Sequence, residues 1–267
     1  VHIVERFERI QEFYGRVGLS IGNFEGYHRG HREIVGRLVS DSRARGLHPA
    51  VITFKRHPLA VLAGKEPERL WSPSDKIIRM RDEGISLLVY IDFSPAFAGM
   101  NPVEFLEMLR DTLGPKLVCL GSNFRFGREN KGNIGFLGSV SSRYGFELIT
   151  VDDLRHRGRP ISSTRIREAV KAGDFPLVTE LLGRMYSMRL VSEKDGGKTL
   201  VPVSGGCALP RDGIYTGELE NLSGTGGSGP AERVRMVLRD GCFRPEWEGS
   251  LQPEGFYRFF FDAAAKK

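Results

Sequence analysis

Over the first 180 residues, short apolar runs rich in β-branched side chains alternate with longer stretches of helical periodicity. The runs at 17–21, 50–54, 87–91, 117–120 and 146–151 predict strands. The segments 31–45, 74–83, 102–113 and 134–144 between them predict helices. Strands that are apolar throughout, rather than at alternate positions, are buried on both faces. Strand–helix alternation of this kind predicts an α/β domain with a Rossmann-like parallel sheet, covering residues 1–182. A ligand of such a sheet lies beyond the carboxyl ends of its strands.

The pattern changes after Gly183. No long amphipathic helix follows, and short apolar stretches recur at 200–203, 214–219, 233–238 and 256–261 between Gly, Ser and Pro clusters. This predicts a small antiparallel β-barrel-like domain over residues 183–267. The run SGTGGSGP at 223–230 predicts a mobile loop. No internal repeat is present.

Composition narrows the class. The chain has 267 residues, 40% apolar and 27% charged, which is the make-up of a soluble globular protein. No stretch of about 18 apolar residues exists, so no membrane span or membrane partner is expected. The opening 16 residues carry charges throughout and hold no apolar signal core, so a cytoplasmic location is expected. The sequence starts at Val1 rather than Met, as expected of a trimmed or processed chain. Cys119, Cys207 and Cys242 are far apart and lack metal-ligand spacing, so no protein metal site is expected. The net charge of +6 sits mainly in the first part, where 27 basic residues face 22 acidic ones up to residue 182. Such a bias suits phosphate ligands or nucleic acid, and charge alone does not choose between them.

Two motifs add chemistry. Gly22-Asn23-Phe24-Glu25-Gly26-Tyr27-His28-Arg29-Gly30-His31 follows a predicted strand and opens a helix. Glycine lets backbone approach a phosphate, and the free N–H groups of a helix start favour an anion. His28 and His31 flank Gly30 as H-x-G-H, a spacing that lets both imidazoles face one phosphate chain. Two surface histidines in a glycine-rich turn is the bland alternative, and the complete H-x-G-H in this setting argues against it. The second motif is Ile161-Ser162-Ser163-Thr164-Arg165-Ile166-Arg167. Its hydroxyls suit a helix N-cap, with the helix continuing to residue 172. Two arginines near a helix start conflict with the helix dipole, and a bound anion would remove the conflict. A capped helix with solvated arginines is the alternative.

Together the blocks resemble one family. The runs 20–31, 51–58 (VITFKRHP), 120–127 (LGSNFRFG), 161–167 (ISSTRIR) and 181–186 (LLGRMY) occur in the order found in prokaryotic FAD synthetases. These are commonly bifunctional enzymes joining a riboflavin kinase to an FMN adenylyltransferase of the nucleotidyltransferase superfamily. H-x-G-H is shared by many adenylyl- and cytidylyltransferases, whereas the F-R-F-G and I-S-S-T-R blocks are more discriminating. The resemblance implies transfer of AMP from ATP to FMN, giving FAD and pyrophosphate, with Mg²⁺ entering on ATP. It implies that Gly22, Asn23, Phe24 and Gly30 line the nucleotide site, that His28 and His31 contact the ATP phosphates, and that Asn123 holds a nucleotide or flavin phosphate. It also implies that Ser162, Ser163, Thr164, Arg165 and Arg167 serve the pyrophosphate side, with Phe54, His57, Pro58 and Phe126 beside the flavin.

There are departures. Glu25 stands where the family has Asp, and Asn133 where an acid is common. Lys55-Arg56 replaces an acid and a proline, so either the flavin phosphate gains a positive neighbour or two basic side chains are solvated. After Tyr186 no run resembles the kinase's G-F-P-T-A-N, the stretch 198–202 lacks its residues, and no convincing match to the kinase's catalytic Glu exists. Glu218, Glu220 and Glu232 read as solvated charges. The expectation is therefore an adenylyltransferase without riboflavin kinase activity. It would bind only small molecules and no nucleic acid, as a monomer or weak homo-oligomer. The rivals are a diverged bifunctional enzyme, a transferase for another phosphorylated acceptor, and a non-catalytic nucleotide- or RNA-binding relic of the fold.

Overall fold

In the computed structural model, which describes residues 1–7, 10–193, 199–223, 230–247 and 249–263, the chain divides into two units. One comprises Val1–Pro67 and Pro73–Pro160, the other Glu68–Ser72 and Ile161–Lys267. The expected functional division at 182/183 thus differs from where packing draws the line. The expected loop at 223–230 lies, save for its end residues, outside the described residues.

The first unit begins with β1 (His2–Val4), β2 (Val17–Ile21), α1 (Arg29–Ala44), β3 (His48–Phe54), α2 (Pro58–Leu62) and α3 (Pro73–Asp82). It continues with β4 (Leu87–Ile91), α4 (Pro95–Gly99), α5 (Pro102–Thr112) and β5 (Leu117–Gly121). A two-residue ladder of β6 (Arg125–Phe126) and β7 (Gly132–Asn133) precedes α6 (Ile134–Tyr144) and β8 (Glu147–Val151). The hairpin of β9 (Arg155–His156) and β10 (Arg159–Pro160) ends it.

Six of these strands form a parallel sheet in the order β1-β4-β3-β2-β5-β8. Strands β2 and β4 are buried at every position, which is why they read as continuous apolar runs. Val17, Leu19 and Ile21 of β2 join Ile52 and Phe54 of β3 and Val118 and Leu120 of β5 in a core with Phe105, Leu106 and Leu109 of α5. On the other face, α1 comes so close to β2 that a Cβ at Gly18 would lie 2.1 Å from Ser42 Oγ. From β2 the chain proceeds to β3 and β4 on one side and then crosses to β5 on the other. The order reverses between β2 and β5, the position at which open α/β sheets form their ligand crevice.

In the second unit, α7 (Ser163–Ala172) and α8 (Phe175–Leu182) precede a closed antiparallel barrel. Its strands are β11 (Ser187–Ser192), β12 (Leu200–Pro202), β13 (Gly213–Asn221), β14 (Glu232–Arg239), β15 (Cys242–Glu246) and β16 (Phe256–Phe261). They close in the order β11-β12-β15-β14-β13-β16. Val234, Met236 and Leu238 alternate inward on β14, as do Tyr257, Phe259 and Phe261 on β16. Phe175 of α8 stacks on Phe261 with ring centroids 4.3 Å apart. That contact joins α8 to the barrel. Strands β11 and β15 and helix α8 were not foreseen, because each is short and mixes polar with apolar residues.

Barrel closure leaves no room beside Gly217. A Cβ there would lie 2.0 Å from the Phe260 carbonyl oxygen and 2.7 Å from the Phe259 ring. Gly217→Ala is expected to destabilise the protein by about 1–3 kcal/mol, the usual cost of overpacking. A thermal melt checks this, and an unchanged midpoint would contradict it.

Candidate active site

The carboxyl end of β2 leads into a loop of unusual backbone. Phe24 (φ 49°), Gly26 (φ 71°) and Tyr27 (φ 42°) are all left-handed, and two of the three are not glycine. Such conformations persist only where the surroundings over-determine them. Here the Phe24 and Tyr27 side chains are buried, and Thr53 of β3 donates its hydroxyl to the Asn23 carbonyl at 3.2 Å.

The loop ends at His28, the N-cap of α1. Its Nδ1 accepts the backbone N–H of His31 at 3.3 Å, so in the neutral ring the proton sits on Nε2. The rings of His28 and His31 stack with centroids 3.6 Å apart, and Phe24 meets His31 edge-on at 5.3 Å. A Cβ at Gly30 would come within 3.3 Å of the His28 ring, so glycine there leaves the imidazole its place. Burial pushes the His28 pKa down to about 4. His31 is held well below its ordinary value, first by burial and then by the charges of His28 and Lys76. Both imidazoles are neutral at pH 7.

Three enclosed polar atoms at this strand end have no hydrogen-bond partner among the described residues: Ser20 Oγ, Asn23 Nδ2 and His31 Nδ1. Buried polar groups are nearly always satisfied, so a cluster of orphans marks a place for a polar ligand.

Beside the loop lies a cavity of about 520 Å³, a size typical of small-molecule sites. Gly22, Asn23, Phe54, Pro58, Asn123 and Phe126, all expected from sequence, line it. Asn23 follows β2 and Asn123 follows β5, so the cavity lies at the reversal of strand order. Asn123 is oriented by a hydrogen bond from its Nδ2 to Asp153 at 3.2 Å. His57 stands just outside the lining and caps α2, its Nδ1 accepting the Leu59 N–H at 3.2 Å. The rest of the wall was not foreseen. Phe93, Phe97, Phe105 and Phe124 join Phe54 and Phe126 in a chain of ring contacts 5.1–5.9 Å apart. Such a wall suits a planar ring system. The sequence signal was only a high phenylalanine count, since these residues come from four separate segments.

The departures find local explanations. Asn133 caps α6, its Oδ1 accepting the Phe136 N–H at 2.9 Å. Lys55 pairs with Glu5 at 2.9 Å and borders a different groove, while Arg56 lies 3.9 Å from Asp92. Neither lines the aromatic cavity. Cys119 is buried, and desolvation pushes its thiol up to about 12, so it is unreactive. Among the described residues, no group of three or more His, Cys, Asp and Glu is placed to hold a metal ion. No helix among them is long and apolar enough to cross a membrane.

In the second unit, Ser162 caps α7 by accepting the Arg165 N–H at 3.3 Å, and Ser163 and Thr164 form its first turn. The arginines are not solvated. Arg165 is buried, and Arg167 donates Nε to the Glu68 carbonyl at 2.6 Å. In the barrel, Glu218 is exposed as expected. Glu220 instead lies half-buried 3.8 Å from Arg258, and Glu232 accepts the Trp247 indole N–H at 2.8 Å.

The parallel sheet thus carries the H-x-G-H loop at its switch point. Comparison with known proteins gives the family. The FAD synthetase family profile matches residues 11–165. The bifunctional riboflavin kinase/FMN adenylyltransferase of Escherichia coli (strain K12) is 30% identical over 213 residues, 76% of this chain and 68% of that protein. Its counterpart in Bacillus subtilis (strain 168) is 28% identical over 231 residues, 82% of this chain and 72% of that protein. That of Buchnera aphidicola subsp. Schizaphis graminum is 29% identical over 189 residues, 70% and 61%. This chain thus spans 61–72% of the length of these curated relatives. The crystal structure of a Streptococcus pneumoniae protein described as a macrolide-efflux protein shares the fold, with a TM-score of 0.81 and 22% identity over 97% of this chain and 88% of that one. The chain belongs to the FAD synthetase family.

The buried imidazoles couple stability to pH. Their folded pKa values lie below the ordinary 6.5, so the unfolded chain takes up protons that the folded chain does not. Stability therefore rises with pH and is lost as pH falls below 6.5, for His28 through the window from 6.5 to about 4, by up to about 1.4 kcal/mol per pH unit. The melting temperature is expected to drop between pH 7 and 5. The slope should flatten in a His28→Gln/His31→Gln variant, and equal slopes would contradict the assignment.

Proposed function

We propose that this protein is an FMN adenylyltransferase, transferring AMP from MgATP to FMN to give FAD and pyrophosphate. The observation that carries the reading is an aromatic cavity at the switch point of the sheet whose lining includes Asn23, one of the three orphaned polar groups near the β2 terminus. A phosphate chain suits the orphaned groups and a planar flavin the aromatic wall. Family membership supports the same pairing.

The reaction needs no covalent nucleophile. The FMN phosphate, largely dianionic at neutral pH, attacks the α-phosphorus of ATP. A new P–O bond forms to the flavin phosphate, and the bond to the β-phosphate bridging oxygen breaks, releasing pyrophosphate. The chain supplies alignment and hydrogen bonds. In this proposal His28, as Nε2–H tautomer, and His31 donate to the phosphates, and Asn123, held by Asp153, orients a phosphate oxygen. Ser163, Thr164 and Arg165 serve the pyrophosphate end, a role drawn from the family resemblance. Mg²⁺ enters as part of the nucleotide. Phosphate oxygens and water would supply most of its ligands.

We further propose that the barrel does not phosphorylate riboflavin. Phe243, Phe259 and Phe261 are fully buried, and the kinase's phosphate-binding run has no counterpart in the sequence.

Two measurements test these readings. Chromatography of flavins after incubation with MgATP should show FAD from FMN and no FMN from riboflavin. Absence of FAD would overturn the first proposal, and FMN made from riboflavin would overturn the second. His31→Ala should lower turnover by about 10²–10³-fold, the usual effect of losing one such donor, and near-normal turnover would remove His31 from the mechanism.

A further inference from the structure

A lysine is hidden behind the histidine loop. Lys76 is 4% exposed, in the first turn of α3. Lysine is almost never this buried, and a cation near a helix start opposes the helix dipole. Both terms destabilise the position, and its surroundings show what offsets them. Nζ donates to the carbonyl oxygen of Phe54 at 3.4 Å and lies 5.9 Å from the centre of the Tyr90 ring. Phe54 ends β3 and walls the aromatic cavity, while Tyr90 lies beside Thr53 in the sheet. The ammonium thus grips the strand end that borders the cavity.

Its charge also reaches the other side of the site, where it acts on His31. The groups that act electrostatically on that imidazole include His28, at the cap of α1, and Lys76. Phe24 and Tyr27 complete its surroundings as rings. Arg79 of α3 and Glu83, just past its end, act on the buried Tyr27, which precedes His28. Positions 76 and 79 share one face of α3, so the helix backs the left-handed loop.

With both imidazoles neutral, the two histidines offer a phosphate chain dipoles but no charge. We propose that Lys76 is a positioning residue for adenylyl transfer. Tied to the Phe54 carbonyl, it fixes the cavity edge against the His28–His31 loop and, as an ammonium, lends the bound phosphate chain positive charge from behind. This rests on the nucleotide reading of the site.

The test compares Lys76→Met, neutral and of similar length, and Lys76→Gln, a neutral donor, with Lys76→Arg, which keeps the charge. Both neutral variants should weaken MgATP binding in calorimetry and lower kcat by about 10- to 30-fold, the size of one charge acting through several ångströms of protein. KM for FMN should stay within about threefold of wild type. In ¹⁵N-histidine NMR without substrate, the His31 titration should move upward in both neutral variants and stay in place in Lys76→Arg, which should also recover most of the turnover. Two outcomes overturn the proposal. One is wild-type MgATP binding in the neutral variants. The other is equal loss in all three variants with an unmoved His31 titration, the signature of a packing role alone. If wild-type protein makes no FAD but MgATP binding still weakens without the charge, the proposed reaction fails and the role of Lys76 stands.

Discussion

The hydrogen bond from the His31 backbone N–H to His28 Nδ1 ties the start of a helix to the chemistry of the site. One histidine caps the helix whose first turn carries the other. The two rings stack with centroids 3.6 Å apart at this helix start. The same bond sets the tautomer of His28 and leaves Nε2–H as the free donor. Everything upstream serves that geometry: the left-handed Phe24, Gly26 and Tyr27 turn the chain sharply after β2, and Gly30 clears space for the ring.

Burial then decides what the pair can do. Enclosed imidazoles stay neutral, so they offer directed hydrogen bonds rather than charge. In the proposed role, Lys76 adds positive charge from behind the loop, where its ammonium is tied to the Phe54 carbonyl.

The barrel follows different rules. Its interior is closed by aromatic side chains that reach back to α8, with Phe175 seated on Phe261. Gly217 permits two backbones to meet where a side chain would not fit. These are the features of a scaffold packed for stability. The charged residues on its strands are drawn into local pairs, Glu220 beside Arg258 and Glu232 against Trp247.

Much of this was legible in the order of residues. Continuous apolar runs announced β2 to β5, because a strand covered on both faces leaves no polar positions to obscure it. His28 and His31 stood out by spacing, since a helix start brings residues three apart onto one face, whereas Gly22 and Asn23 were named through the family resemblance. The tertiary structure alone decided the rest. Phe93, Phe97, Phe105 and Phe124 become one wall only when loops from separate strands are gathered at one sheet edge. Lys55 and Arg56 turned out to be held in ion pairs away from the cavity, because where a basic side chain finds its carboxylate depends on which strands lie side by side. Lys76 looks in sequence like any surface lysine of an amphipathic helix. Its burial against Phe54 and Tyr90 follows from how α3 lies on the sheet, and no local pattern encodes that.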